Sequence, residues 1–319
     1  MKPTSIIFLI VSVALALAGL VTMRIAEGIG VREGIQVVAD TMDDGDSVFT
    51  YDFSEDSIGK ISVSVGTADI NIIGGADKPY IELVNFADGL YEFSGANRVL
   101  TVSDRTDLTD IDGIAAFAMN FKGLRGLVNY VHVRGKEKTV NIYLSEKYPV
   151  NIVSCEVESG NIAAGSSGFK TDYDFTVGTG TITVSGVTTG SGLYFSVTDG
   201  SVTISDSDAS NLVISDSGKC PVEIISSKIR KITAETEEGD FRFGSRDRMS
   251  AFNLDLFTGV GSVKIDGENH GGYYETPQYP TDASLKITLG KGDIVLASDM
   301  QPTTSNDTSV DDTSADTGE

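Results

Sequence analysis

The residues of this chain best suited to chemistry are Asp104, Asp107, Asp110 and Asp112, which precede Gly113. Carboxylate oxygens are the hard donors calcium takes, and a glycine permits the sharp turn of a calcium loop. The register fails, however. With Gly113 at the sixth position of an EF-hand, Leu108 falls at the first and Met119 at the twelfth, where Asp and Glu are required. The acidic run over 40–46 likewise lacks ligands at the third and twelfth positions. Both segments read as solvated acidic turns.

Other chemistries lack parts. His132 and His270 are the only histidines, in separate parts of the chain, which leaves no set for a multi-histidine metal centre or a histidine-based triad. The Ser and Asp residues of SDSDAS over 205–210 suit exposed strand edges and turns. Gly178 and Gly180 do not open a helix after a strand, so they form no phosphate-binding loop. The reading is therefore of a non-enzyme, with no catalytic, metal-binding or cofactor-binding residues assigned. With 24 Lys and Arg against 46 Asp and Glu, a net charge of -22 and a pI near 4.3, the chain lacks the positive footprint a nucleic-acid partner needs.

The elements behind these residues are strands. There are 35 Gly, only 7 Pro and no Trp, and Val, Ile, Thr and Ser fall in short alternating runs. A slot occupied by Gly160, Gly180, Gly200, Cys220, Gly239 and Gly261 recurs at a spacing close to 20, with Gly292 closing the series. Seven and five positions before it stand pairs such as Tyr173 and Phe175 or Leu193 and Phe195. Two and four positions after it stand pairs such as Ile182 and Val184 or Val202 and Ile204. An early copy has Ile61, Val63 and Val65 before Ala68, then Ile70 and Ile72.

A spacing of two places each apolar set on one face of a strand, and the odd step across the slot needs a bend that glycine permits. Stacked strand over strand, such turns bury a continuous apolar ladder. The expected architecture is all-β, a right-handed β-solenoid or β-roll of about 20-residue repeats over 50–298. An antiparallel hairpin meander is the rival, because T-G, D-G and E-G between alternating apolar residues also suit tight hairpins. In a solenoid Cys155 and Cys220 lie three repeats apart, about 14 Å at the strand spacing, beyond the roughly 7 Å a disulfide tolerates between Cα atoms. Two free thiols are expected.

Residues 6–23 run without a charge between Lys2 and Arg24 and would span about 27 Å as a helix, the length of a transmembrane signal anchor over 1–24. A cleavable signal peptide is the alternative, since Ala14, Ala16 and Ala18 give A-x-A spacing. Either places the folded part outside the cytoplasm: a single-pass cell-membrane protein in the first case, a secreted one in the second. Residues 25–49 form a linker. The tail over 299–319, with six acids and no base, is expected to be disordered, and it has no L-P-x-T-G-like wall-sorting segment. An insert over 104–138 holds the best helix candidate beyond the anchor. Phe117, Met119, Phe121, Leu124 and Leu127 could cover an open edge of the solenoid. Its bases Lys122, Arg125, Arg134, Lys136 and Lys138 could instead meet lipid headgroups or wall polymer.

The runs GKISVSVGTADINI, VNIYLSEKYPVNIVSCEVESGNI, YDFTVGTGTITVSG and LYFSVTDGSVTISD resemble a bacterial adhesin-like domain family of unknown function, grouped with the toast-rack domains. The resemblance spans roughly 50–297 and implies a β-solenoid outside the membrane, joined to a membrane segment. Export, regular rungs that can present side chains in register and the lack of catalytic groups lead to a cell-surface or envelope interaction (adhesin-like) module, with envelope polymer, a host ligand or a membrane protein as partner. Some members of the family are associated with envelope-stress signalling, which supplies the alternative of a non-catalytic sensor or scaffold subunit.

Overall fold

The computed structural model describes residues 46–54, 57–86, 91–104, 133 and 135–298. The anchor over 1–24, most of the linker, nearly all of the insert and the acidic tail lie outside the described residues. Among the described residues no helix is long and apolar enough to cross a membrane. Two compact units are distinguished. Of the described residues, the smaller includes 46–49, 84–86, 133 and 135–136. Within it the Asn85 carboxamide accepts the Ser47 N–H at 3.1 Å and donates to Asp46 Oδ1 at 2.9 Å.

The larger unit is a β-solenoid. Its strands are β1 (Val48–Asp52, from Thr50 on), β2 (Lys60–Thr67), β3 (Asp69–Ile73), β4 (Tyr80–Val84, to Leu83), β5 (Tyr91–Ala96), β6 (Val99–Asp104), β7 (Thr139–Tyr143), β8 (Ile152–Ser159), β9 (Ile162–Ala164), β10 (Asp172–Ser185), β11 (Leu193–Ser205), β12 (Asp208–Lys219) and β13 (Val222–Glu238). The series continues with β14 (Phe241–Ser245), β15 (Asn253–Val260), β16 (Val263–Ile265), β17 (Glu268–Asn269), β18 (Tyr273–Glu275), β19 (Ser284–Lys291) and β20 (Ile294–Ala297). Burial alternates along them, as strands with one face on a core require.

Pairing between successive rungs is parallel, in unbroken register across β8, β10 and β11 and with shifts along β12 and β13, which decides against the hairpin meander. Tyr173 lies over Val153 and under Leu193, and Phe175 lies over Cys155 and under Phe195. One ladder runs Leu100, Ile61, Val153, Tyr173, Leu193, Leu212, Ile232, Leu285, Leu254, every member 4% exposed or less. On the other side of the corner a second ladder passes through Ile70, Ile162, Ile182, Val202, Val222 and Phe241. Burying each such side chain stabilises by about 1.5–3 kcal/mol, and each rung obtains that burial from its neighbours. The Phe175 and Phe195 rings stack at 5.4 Å and 7°.

The corner explains the glycine slot. A Cβ on Gly180 would stand 1.9 Å from the Gly160 carbonyl oxygen, and its φ of 143° is one that L side chains rarely adopt. The residue after the slot stitches rung to rung. The Asn161 N–H donates to Asp69 Oδ1 at 2.8 Å, and the Thr181 N–H to Asn161 Oδ1 at 3.1 Å. Beyond Pro221, which has no N–H for this ladder, the stitch resumes: Asp293 N–H to Asp240 Oδ1 at 3.0 Å and Ser262 N–H to Asp293 Oδ1 at 2.8 Å.

The rungs at the two ends do not stack in chain order, which corrects the expected series. Gly292 does not close it. A Cβ on Gly292 would meet the Gly239 carbonyl at 2.1 Å, and one on Gly261 would meet the Gly292 carbonyl at 2.0 Å, so the rung of β19 and β20 lies between the two earlier ones. At the other end β2 and β3 pair with β8 and β9 on one side and with β6 and β7 on the other. Antiparallel strands finish the edges: β5 on β6, β18 on β15 and β17 on β16. Local hairpins thus cover the outer rungs' edges, leaving the inner side of the β15–β16 rung to receive the last strands of the chain.

Candidate functional site

Residues 105–112 of the acidic loop, and His132, lie outside the described residues. His270 lies beside a hairpin against the Tyr274 ring at 4.4 Å. Cys155 fills the core ladder between Val63 and Phe175, while Cys220 occupies the glycine slot. Both thiols are free and buried on rungs three steps apart, as the strand spacing requires. Desolvation raises both thiol pKa values, that of Cys220 to about 11, so neither is a ready nucleophile. Among the described residues no group of three or more His, Cys, Asp or Glu side chains could hold a metal ion.

Among the described residues an open groove of about 710 Å³ lies at the β3–β7 end. Thr50 and Asp52 of β1 line it, with the turn from Ile73 to Lys78, Tyr80 and Glu82 of β4, and Tyr143 of β7. The turn is held firmly. Leu144 N–H donates to the Ile73 carbonyl at 2.8 Å, Ala76 N–H to the Leu144 carbonyl at 3.1 Å, and the Ser145 hydroxyl to the Asp77 carbonyl at 3.1 Å. A Cβ on Gly74 would stand 2.0 Å from the Ser166 carbonyl oxygen, so the loop is packed against the corner after β9.

Tyr80 and Tyr143 stack in the groove with centroids 4.2 Å apart and planes 15° from parallel. The strand register aligns Tyr143 with Ile73 and Asn141 with Asn71. Asn71 Nδ2 donates to Asn141 Oδ1 at 3.0 Å, and Asn141 Nδ2 makes a long bond of 3.5 Å to Glu82 Oε2. Partial burial, then the Glu82 carboxylate and the Tyr80 phenol, push the Tyr143 pKa up. Asp52 is shifted the other way. The Ser54 hydroxyl and the Ser54 N–H, the latter at 2.8 Å, hold its carboxyl below the usual range, with a lesser contribution from Lys78. A Lys147–Asp77 pair at 3.8 Å is exposed and contributes little. The groove therefore offers phenols, a hydroxyl, carboxylates, an ammonium and an aromatic slab, with no nucleophile–base pair.

Sequence reasoning named none of these residues, because Tyr80 and Tyr143 are 63 positions apart and meet only through the out-of-order rung of β7. The one local trace was the turn GGADKP over 74–79, a cluster of turn residues between two strands.

The profile of the Toastrack DUF4097 family matches residues 58–317, and the chain belongs to that family. No curated protein matches the chain. Among solved structures it is similar to a putative adhesin from Bacteroides fragilis NCTC 9343, at 15% identity and TM-score 0.45, covering 79% of this chain and 97% of that one. It is also similar to a putative cell adhesion protein from Clostridium sporogenes ATCC 15579, at 14% identity and TM-score 0.35, covering 80% and 100%. A putative lipid binding protein from Parabacteroides distasonis ATCC 8503 matches at 10% identity and TM-score 0.32, covering 80% and 97%.

Proposed function

We propose that this member of the Toastrack DUF4097 family is a non-catalytic interaction module of the cell envelope, held at the membrane by residues 6–23 with its solenoid outside the cytoplasm. The observation that carries the reading is the in-register stack itself. It presents side chains on a fixed grid, and its two thiols are buried within the stack. The charge-free segment over 6–23 supports anchorage. A right-handed coil agrees with the handedness that parallel crossover connections take in nearly all cases.

Full-length chain expressed in a bacterial host is expected in the membrane fraction, with its solenoid digested by protease added to the outside of spheroplasts. Purified chain is expected to sediment with isolated envelopes. A protease-protected solenoid, or a chain that stays in the supernatant when mixed with envelopes, would contradict the proposal. Replacing residues 6–23 by an unrelated anchor separates a surface module, which keeps its binding, from a sensor or scaffold subunit working through an intramembrane contact.

A further inference from the structure

We infer that the groove between β1, β4 and β7 is a saccharide site, with a neutral pyranose chain as its ligand. The inference rests on the envelope-module reading and gives it a ligand class. Three features of the groove select that class.

The first is the aromatic slab. Tyr80 and Tyr143 cover one face of each other, and their mutual stacking at 4.2 Å fixes the ring plane. A pyranose ring presents a flat array of C–H bonds to such a surface, and the half-exposed Ile73 beside it extends the apolar floor. The second is the balance of polar groups. A cation needs acceptors only and an anion donors only, but this groove mixes them: the Tyr80, Tyr143 and Thr50 hydroxyls both donate and accept, Asp52, Asp77 and Glu82 accept, and Lys78 donates. Vicinal hydroxyls, each both donor and acceptor, match that mixture. The third is preorganisation. The Asn141 amide, held by Asn71, lies 3.5 Å from the Glu82 carboxylate, and the Gly74 turn is locked by backbone bonds, so the turn loses little freedom on binding. The groove is open rather than enclosed, which suits a chain passing through it better than a small metabolite.

Full-length chain in detergent is titrated with chitohexaose and cellohexaose, and separately with oligolysine. The readouts are calorimetry and tyrosine fluorescence, the chain having no Trp. Saturable binding to at least one saccharide is expected, weakened about tenfold or more by Tyr143→Ala and by Glu82→Gln. Tyr143→Phe keeps the slab and is expected to lose less than Tyr143→Ala. Tyr273→Ala, on β18, is expected to bind as the parent does. Unchanged circular dichroism spectra and melting temperatures separate lost binding from lost folding. Binding to oligolysine alone, or saccharide binding unaffected by both groove variants, would overturn the assignment. A chain that binds isolated envelopes but none of the saccharides would overturn the groove's ligand while leaving the envelope module standing, whereas failure to bind envelopes would remove the module reading itself.

Discussion

The middle of the solenoid and its two ends are built from the same ladder by different routes. From β8 to β13 each rung is followed in the chain by the rung that stacks on it, so Val153, Tyr173 and Leu193 meet across connections of about 20 residues. At the ends the stacking partner is remote. Ile61 lies against Val153, 92 residues on, and Leu285 is inserted between Ile232 and Leu254. Chain order therefore suffices to build the middle, while the ends close only when distant segments arrive. The difference assigns work as well: the middle is filled by packing, and the groove with its stacked tyrosines lies where β7 returns from far along the chain.

The largest effect expected from breaking the middle is that of Gly180→Val. Its Cβ would meet a neighbouring backbone carbonyl at 1.9 Å, and φ is 143°, so neither rotation nor a side-chain shift offers relief. A loss of about 4 kcal/mol or more is expected in urea denaturation. Leu285→Ala tests the inserted rung. The side chain is fully buried between two rungs, and a loss of about 2–5 kcal/mol is expected, with hydrogen exchange rising first in β15 and β16. Uniform exchange across the stack would mean that the end is not separable from the middle.

Gly75→Ala gives the contrast within the groove turn. Its φ of 82° disfavours a side chain, yet nothing lies within 4 Å of the new Cβ, so only the backbone term of roughly 1–2 kcal/mol is expected. The smallest effect is electrostatic. Asp293 accepts the Ser262 N–H and then its hydroxyl, which hold its carboxyl below the ordinary value of 3.8. A depressed folded pKa contributes stability that is present above the unfolded value and lost as pH falls through the folded one. Asp293→Asn is expected to lower the neutral plateau of the urea midpoint slightly and to flatten its acid limb below about pH 4.

Much of this fold is written locally. The glycine slot, the paired apolar positions and the like-on-like Phe175 and Phe195 each lie within one repeat of their counterparts, and such regularity survives in a single sequence. Rung order at the ends does not, because Gly239, Gly261 and Gly292 carry equivalent patterns and any could neighbour any other. What decides among them is the closure of outer edges by β17 and β18, a tertiary matter. The groove was illegible for the same reason. Glu82, Asn141 and Asn71 form one polar chain only after β3, β4 and β7 are laid side by side.

Site-specific cross-linking of the C-terminal rungs tests the stacking order most directly. Glu235, Thr288 and Phe257 lie in one row, with Thr288 paired to both of the others. Double variants are made with cysteines at 235 and 288, at 288 and 257, and at 235 and 257, then treated with a short bifunctional thiol reagent. The native thiols, being buried, should stay unreacted in the folded chain. The account predicts efficient cross-linking of the first two pairs, about one strand spacing of 4.8 Å apart, and little of the third at twice that distance. Efficient cross-linking of 235 to 257 with none to 288 would mean that the rungs stack in chain order and would contradict it.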